Sequence, residues 1–207
     1  MPLTHFTERH LVRLLATETR RTDITPHALS AAHVALGRFL AGELVERIDL
    51  EPREIQHPQG VRSGWSVADE AGIAVLPFLR AGLYAAEGVR EVLQNAQVLH
   101  VRPTRGTGLS PDDLAAFESL SPRLVVLVDA VVNTGESLEP VLAQLRGRIE
   151  RLFVLALVAP VETADRLATA WPEVDFLFAR TSTNQYVGAG TTDTGNRLFG
   201  TTRRRES

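Results

Sequence analysis

The sequence predicts an α/β fold in which a parallel sheet carries helices on both faces. Three observations carry that prediction. Residues 124–128 (Leu-Val-Val-Leu-Val) and 152–159 are continuous aliphatic runs, the composition of strands buried on both faces. Such runs alternate with stretches of helical periodicity, the spacing that builds parallel sheets with right-handed crossovers. The run at 124–128 stops at Asp129 and is followed by Thr134-Gly135-Glu136-Ser137, a strand leading through a short turn into a helix start. Ligands of such sheets sit beyond the carboxyl ends of the strands.

Taken in order, residues 5–18 and 26–46 read as helices. The second has Leu29, Ala32, Val34, Leu36, Phe39, Leu40 and Leu44 on an apolar face, with Thr25-Pro26 as cap and first-turn pair. Residues 49–69 are polar and broken by Pro52, Pro58, Gly60 and Gly64, which predicts irregular loops or short edge strands, with Trp65 in a packing role. Residues 72–79 read as a buried strand ending in a turn with Arg80 and Gly82, followed by a helix over 83–94. A short strand is expected at 96–101, then a polar excursion over 102–122 with a small helix at 111–118. Beyond the central loop come a helix over 136–148, a strand over 152–159, a helix over 162–170 and a strand over 174–179. One domain over 1–207 is expected, with residues 202–207 a disordered tail.

Composition narrows the function. With 207 residues, 44% of them hydrophobic, the chain can bury a substantial core. A net charge of -3 and a pI near 6.1 argue against a nucleic-acid surface. No apolar run approaches the roughly 20 residues of a membrane span, and the first residues lack an apolar signal core, so a cytoplasmic protein with no membrane partner is expected. Cysteine is absent, which removes disulfides, thiolate metal sites and cysteine nucleophiles. Lysine is absent too, which excludes a Walker A loop and Schiff-base chemistry. The six histidines show no His-x-x-x-His spacing, so no metal site built from protein side chains is expected.

The chemistry concentrates at 124–138. Backbone N–H groups of residues 133–137, at the start of the expected helix, lack intrahelical partners and are placed to converge on an anion, with the Thr134 and Ser137 hydroxyls as further donors. Asp129 then stands beside whatever carries that anion. Taken alone, the same residues also fit an ordinary capped strand-to-helix turn.

They do not stand alone. The 124–138 stretch resembles the phosphoribosyl-diphosphate (PRPP) loop of type I phosphoribosyltransferases. Pro77 and Leu79-Arg80-Ala81-Gly82-Leu83 resemble the pyrophosphate loop of the uracil phosphoribosyltransferase family. The segment 186–201 aligns without gaps to that family's C-terminal motif, matching at Tyr186, Gly190, Asp193, Gly195, Arg197, Phe199, Gly200 and Thr201. Residues 20–43 align as well, with Arg20 and Glu43 matching and Ile24 and Ser30 departing; for Arg20 a ligand role and a solvated helix-end charge stand side by side.

The resemblance implies a type I phosphoribosyltransferase-like fold with a hood, the base-recognition segment at 180–201, and a flexible loop opened by Arg102 or Arg105. It implies that Arg80, Ala81 and Gly82 meet the diphosphate, Asp129 the ribose, and Asn133, Thr134, Gly135, Glu136 and Ser137 the 5′-phosphate. Tyr186, Val187, Thr192 and Asp193 would meet the base, and Asp129, Arg80 and Asp193 would be the catalytic set. The implied reaction is uracil plus PRPP to UMP plus diphosphate, a step of pyrimidine salvage. Mg²⁺ would be carried on the diphosphate, and the assembly would be a homodimer or larger. Ala130 stands where a second acid is usual and Glu136 where a small residue is common. Gly188, Ala189, Thr191, Thr192, Thr194 and Asn196 depart from the motif, which leaves open another base or a PRPP-binding regulator without turnover.

Overall fold

The structure is a computed structural model and describes residues 3–186 and 188–201. Val187, expected at the base, and the tail 202–207 lie outside the described residues. The strands are β1 (Leu3–His5), β2 (Leu50–His57), β3 (Gly60–Val67), β4 (Ile73–Pro77), β5 (Gln97–Val98), β6 (Leu124–Val131), β7 (Arg151–Pro160) and β8 (Val174–Ser182). The α-helices are α1 (His10–Arg20), α2 (Pro26–Val45), α3 (Leu83–Arg90), α4 (Pro111–Leu120), α5 (Glu139–Leu145), α6 (Val161–Ala170) and α7 (Thr194–Phe199).

Six strands form one sheet in the order β1-β8-β7-β6-β4-β5, every neighbour parallel. All strands therefore end on the same side. The strand period of two divides β6 between two cores. Val125 and Leu127 join Phe117, Leu142, Leu145 and Leu167 of α4, α5 and α6. Leu124, Val126 and Val128 join Val12, Leu40, Leu44 and Val89 of α1, α2 and α3. Burial on both faces is why the run reads as unbroken aliphatic; Leu127→Ala would cost about 2–5 kcal/mol.

Helix α2 begins as expected, with the Thr25 hydroxyl accepting from Ala28 N–H at 3.2 Å and Pro26 in the first turn. It is 20 residues long and apolar enough by length and composition to cross a membrane, which the sequence reading did not anticipate. Half of its apolar stretch is buried in the fold, because it packs on the sheet, α1 and α3 at once. Its contact with α3 is backbone-close: a Cβ at Gly37 would lie 1.9 Å from Ala85 O.

Several boundaries differ from expectation. Residues 3–5 are a strand, not part of a helix; their backbone completes the sheet edge beside β8, and α1 starts only at His10. Residues 50–67 are a regular antiparallel hairpin with residues 58–59 in the turn, where irregular loops or short edge strands were expected. Its side chains are largely exposed, so no apolar alternation announced it, and Trp65 is exposed rather than packed. Strand β5 is only Gln97–Val98, with Val101 rejoining Phe78 in an isolated bridge. Helix α5 starts at Glu139, three residues later than expected, because Leu138 and Glu139 N–H close onto Gly135 O at 2.9 and 2.8 Å.

Candidate active site

The carboxyl ends of β4 and β6 place the first two motifs side by side. Phe78 N–H donates to Val128 O and Leu79 N–H to Val101 O, both at 2.8 Å, so the 78–82 turn is held over the end of β6. The Leu79–Arg80 peptide is cis. Gly82 serves this packing. A Cβ there would fall 2.2 Å from Val128 O, and its N–H is already taken by Phe78 O at 2.9 Å. That corrects the expectation of a Gly82 amide offered to the diphosphate.

The loop after β6 is braced from behind by α6. Arg166 donates to Thr134 O at 2.7 Å and pairs with Glu139 at 2.8 Å, while the Thr163 hydroxyl donates to Asn133 O at 2.7 Å. With its carbonyls held from that side, the loop keeps its amides free. Among the described residues, only the Glu136 N–H of those at 133–137 finds an acceptor, the Thr134 hydroxyl at 3.4 Å. The unpartnered amides thus belong to a loop rather than to the first turn of a helix. Neither Thr163 nor Arg166 carries a motif that sequence reading would have singled out.

A cavity of about 340 Å³ opens in front of this loop, lined by Arg80, Ala81, Arg102, Arg105, Asp129, Asn133, Ser137, Tyr186 and Asp193. Gly82, Thr134, Gly135, Glu136 and Thr192 are not on its wall. Glu136 turns outward to Arg105 at 3.9 Å, both side chains mostly exposed, so like-charge repulsion with a bound phosphate does not arise from this geometry. Asn133 acts through its side chain as a brace, accepting from Tyr186 N–H at 3.2 Å. The excursion after Arg102 is tied to α5 by Gln144, which accepts from Leu109 N–H at 2.8 Å and donates to Leu109 O and Thr107 O. Helix α4 behind it buries Phe117 in the core.

Asp129 sits half-buried at the end of β6. Burial pushes its carboxyl up to about 7, against the opposing pull of the Ala130 and Val131 N–H groups at 2.7 and 3.5 Å. Arg80 donates to Asn196 Oδ1 at 2.7 Å and lies over the Phe199 ring at 5.5 Å. Asn196 keeps an acceptor toward Arg80 and spends its extra donor on Gly190 O at 3.3 Å. Its N–H is capped by Asp193 Oδ1 at 2.7 Å, which starts α7, a helix the sequence reading did not include.

A second cavity, of about 380 Å³, adjoins the first and shares Val131, Tyr186 and Thr194 with it. Thr192 lines this one, with Arg20, His33, Arg180 and Arg197. Burial and the neighbouring Arg197 lower His33 to about 4, so the ring is neutral, and among the described residues its Nδ1 has no partner. Among the described residues no three His, Asp or Glu side chains gather as a metal site.

The sequence profile of the family described as uracil phosphoribosyltransferase matches residues 6–201. The chain belongs to that family. Relatives named uracil phosphoribosyltransferase match over nearly their whole length at low identity. One from Thermococcus gammatolerans is 27% identical over 94% of this chain and 92% of its own. Another, from Dictyoglomus thermophilum, is 26% identical over 92% of this chain and 96% of its own. A solved structure of an Aquifex aeolicus protein superposes with a TM-score of 0.76, at 24% identity, over 96% of this chain and 99% of that one, which establishes the fold. The family match thus spans the residues that line both cavities.

Proposed function

We propose that the chain catalyses transfer of the phosphoribosyl group of PRPP to a nucleobase, with uracil the base its family indicates, releasing diphosphate and a nucleoside monophosphate. One observation carries the reading: Asn133, Ser137, Asp129, Arg80 and Asp193 line one cavity at the carboxyl end of the sheet, beside a loop whose amides are mostly unpartnered among the described residues. The loop amides and Ser137 take the 5′-phosphate and Asp129 the ribose hydroxyls. As the C1′–O bond to diphosphate breaks, the electron pair leaves with the diphosphate, and a base nitrogen forms the new bond at C1′. The nitrogen sheds its proton toward Asp193 or water. Arg80 keeps donors beyond those given to Asn196, and it neutralises the leaving group through charge-assisted hydrogen bonds.

The donor set suits Mg²⁺. Asp129 and Asp193 line the same cavity and would each offer a carboxylate oxygen, and this ion takes one or two carboxylates with the rest of its shell from phosphate and water. When bound with PRPP it would add positive charge beside the leaving diphosphate. A cytosolic homodimer or larger assembly belongs to the same reading.

Two measurements test it. Diphosphate release should require both PRPP and a base, and a panel of bases should show uracil turning over; no release with any base would leave a binding protein. Ser137→Ala removes one charge-assisted hydrogen bond, worth about 1.5–3 kcal/mol, so PRPP affinity by titration calorimetry should fall roughly 10- to 150-fold while the fold persists. Unchanged affinity in a folded variant would reduce the loop to a strand-to-helix turn.

A further inference from the structure

The second cavity is charged in an unusual way. Three guanidinium groups, Arg20, Arg180 and Arg197, stand on its wall, and no Asp or Glu is among its lining residues. Several arginines elsewhere find carboxylates: Arg166 meets Glu139 at 2.8 Å, Arg151 meets Asp175 at 3.1 Å, and Arg123 meets Asp69 at 3.2 Å. In the cavity Arg20 reaches only Ala16 O, at 3.2 Å, and Arg197 reaches Thr19 O and Arg21 O, at 3.1 and 2.6 Å. Arg180 has no hydrogen-bond acceptor or ion-pair partner among the described residues. Burial, and then the nearby charge of Arg20, both push its pKa down, as for a cation held without a counter-charge.

We propose that this cavity receives the acceptor, and that the acceptor is a heterocycle bearing a carboxylate, with Arg180 as the residue that reads the carboxylate. The inference rests on the phosphoribosyl-transfer reading and names its acceptor class. Apolar walls from Leu36, Val131 and Leu157 suit the faces of a flat ring, and the arginines supply the charge that the chain itself does not balance. The wall shared with the first cavity, Val131, Tyr186 and Thr194, puts such a ring next to the ribose site. Buried, neutral His33 lines the same cavity and adds no charge to it. The carboxylate takes no part in the bond change at C1′; it fixes which acceptor is held.

The test is titration calorimetry of the full chain with uracil, uracil-5-carboxylate and uracil-6-carboxylate, alongside PRPP. One of the carboxylates should bind roughly 10- to 150-fold more tightly than uracil, the worth of a charge-assisted contact. Arg180→Leu should bring that ratio close to one, and Arg180→Lys should restore part of it; Arg180→Gln serves if the leucine variant does not fold. Uracil binding as tightly as both carboxylates would overturn the proposal, as would a ratio that Arg180→Leu leaves intact. Competition by sulfate at Arg180 without any preference among the three pyrimidines would mark a separate anion site and overturn it too. PRPP binding is read independently: its loss sinks the transfer reading, whereas PRPP binding without a carboxylate preference sinks only this one.

Discussion

The two cavities meet at Val131, Tyr186 and Thr194 yet solve opposite electrostatic problems. In the first, cations and anions are interleaved: Arg80, Arg102 and Arg105 face a wall that also holds Asp129 and Asp193. In the second, arginines stand with no acid among the lining residues. Mixed charge suits a ligand with phosphates and hydroxyls at several points, whereas one-signed charge asks for a single compensating group. Of the arginines in the second cavity, Arg20 and Arg197 fall on matches to the family, whereas Arg180 lies outside the matched positions.

The largest effect expected to test this contrast comes from Asp129. Its unfolded pKa lies near 3.9 and its folded value about 7, so between those values the native state holds a proton that the unfolded chain has released. Its contribution is therefore complete below about pH 4 and is lost as pH rises through about 7. Asp129→Asn should stabilise the free protein at pH 8 by on the order of 4 kcal/mol, have little effect at pH 4, and abolish transfer; denaturant titrations at the two pH values read the first part. A stability unchanged at pH 8 would mean that the carboxylate is well solvated.

His33 in the second cavity should bend the curve the other way. Its folded pKa is about 4 against about 6.5 unfolded, so its contribution is present above about 6.5 and lost as pH falls through about 4. His33→Leu should flatten that acid limb, by on the order of 3 kcal/mol between pH 6.5 and 4, in the same titrations. If the acid limb survives in the variant, carboxylates elsewhere account for it. The smallest effect belongs to Glu136. Because it faces Arg105 and solvent, Glu136→Gln should change PRPP affinity less than about twofold, well below the Ser137→Ala loss. A tightening of tenfold would show that the loop turns this acid inward when it binds.

What sequence made legible follows the same line. Strand β6, the 78–82 turn and the 186–201 segment could be read because each is contiguous and each has a physical signature: an unbroken aliphatic run, an Arg-Ala-Gly turn, or a glycine-rich motif. Arg180 falls inside the expected 180–201 segment but could not be singled out there, since it lies near the end of an ordinary strand and gains meaning only where α1, β8 and α7 converge. The brace formed by Thr163 and Arg166 escaped for the same reason, as its partners lie about 30 residues away. The β2–β3 hairpin escaped because its register is set by backbone pairing without a buried face. Strand β1 escaped because three residues are too few to show a period.

That short strand has a consequence for how the chain is made. Leu3, Thr4 and His5 pair with Phe176, Leu177 and Phe178, and Arg197 ties α7 to Thr19 and Arg21. Both contacts join segments separated by most of the fold's sequence, with 178 positions between Arg197 and Thr19. Ribosomes add about 5–20 residues per second, so β1 and the end of α1 wait on the order of ten seconds or more for partners that emerge with β8 and α7. Closing so long a loop is entropically costly and kinetically late. The second cavity, whose walls include Arg20 and Arg197, is thus completed only after α7 has emerged, whereas β4 and β6 can pair well before it.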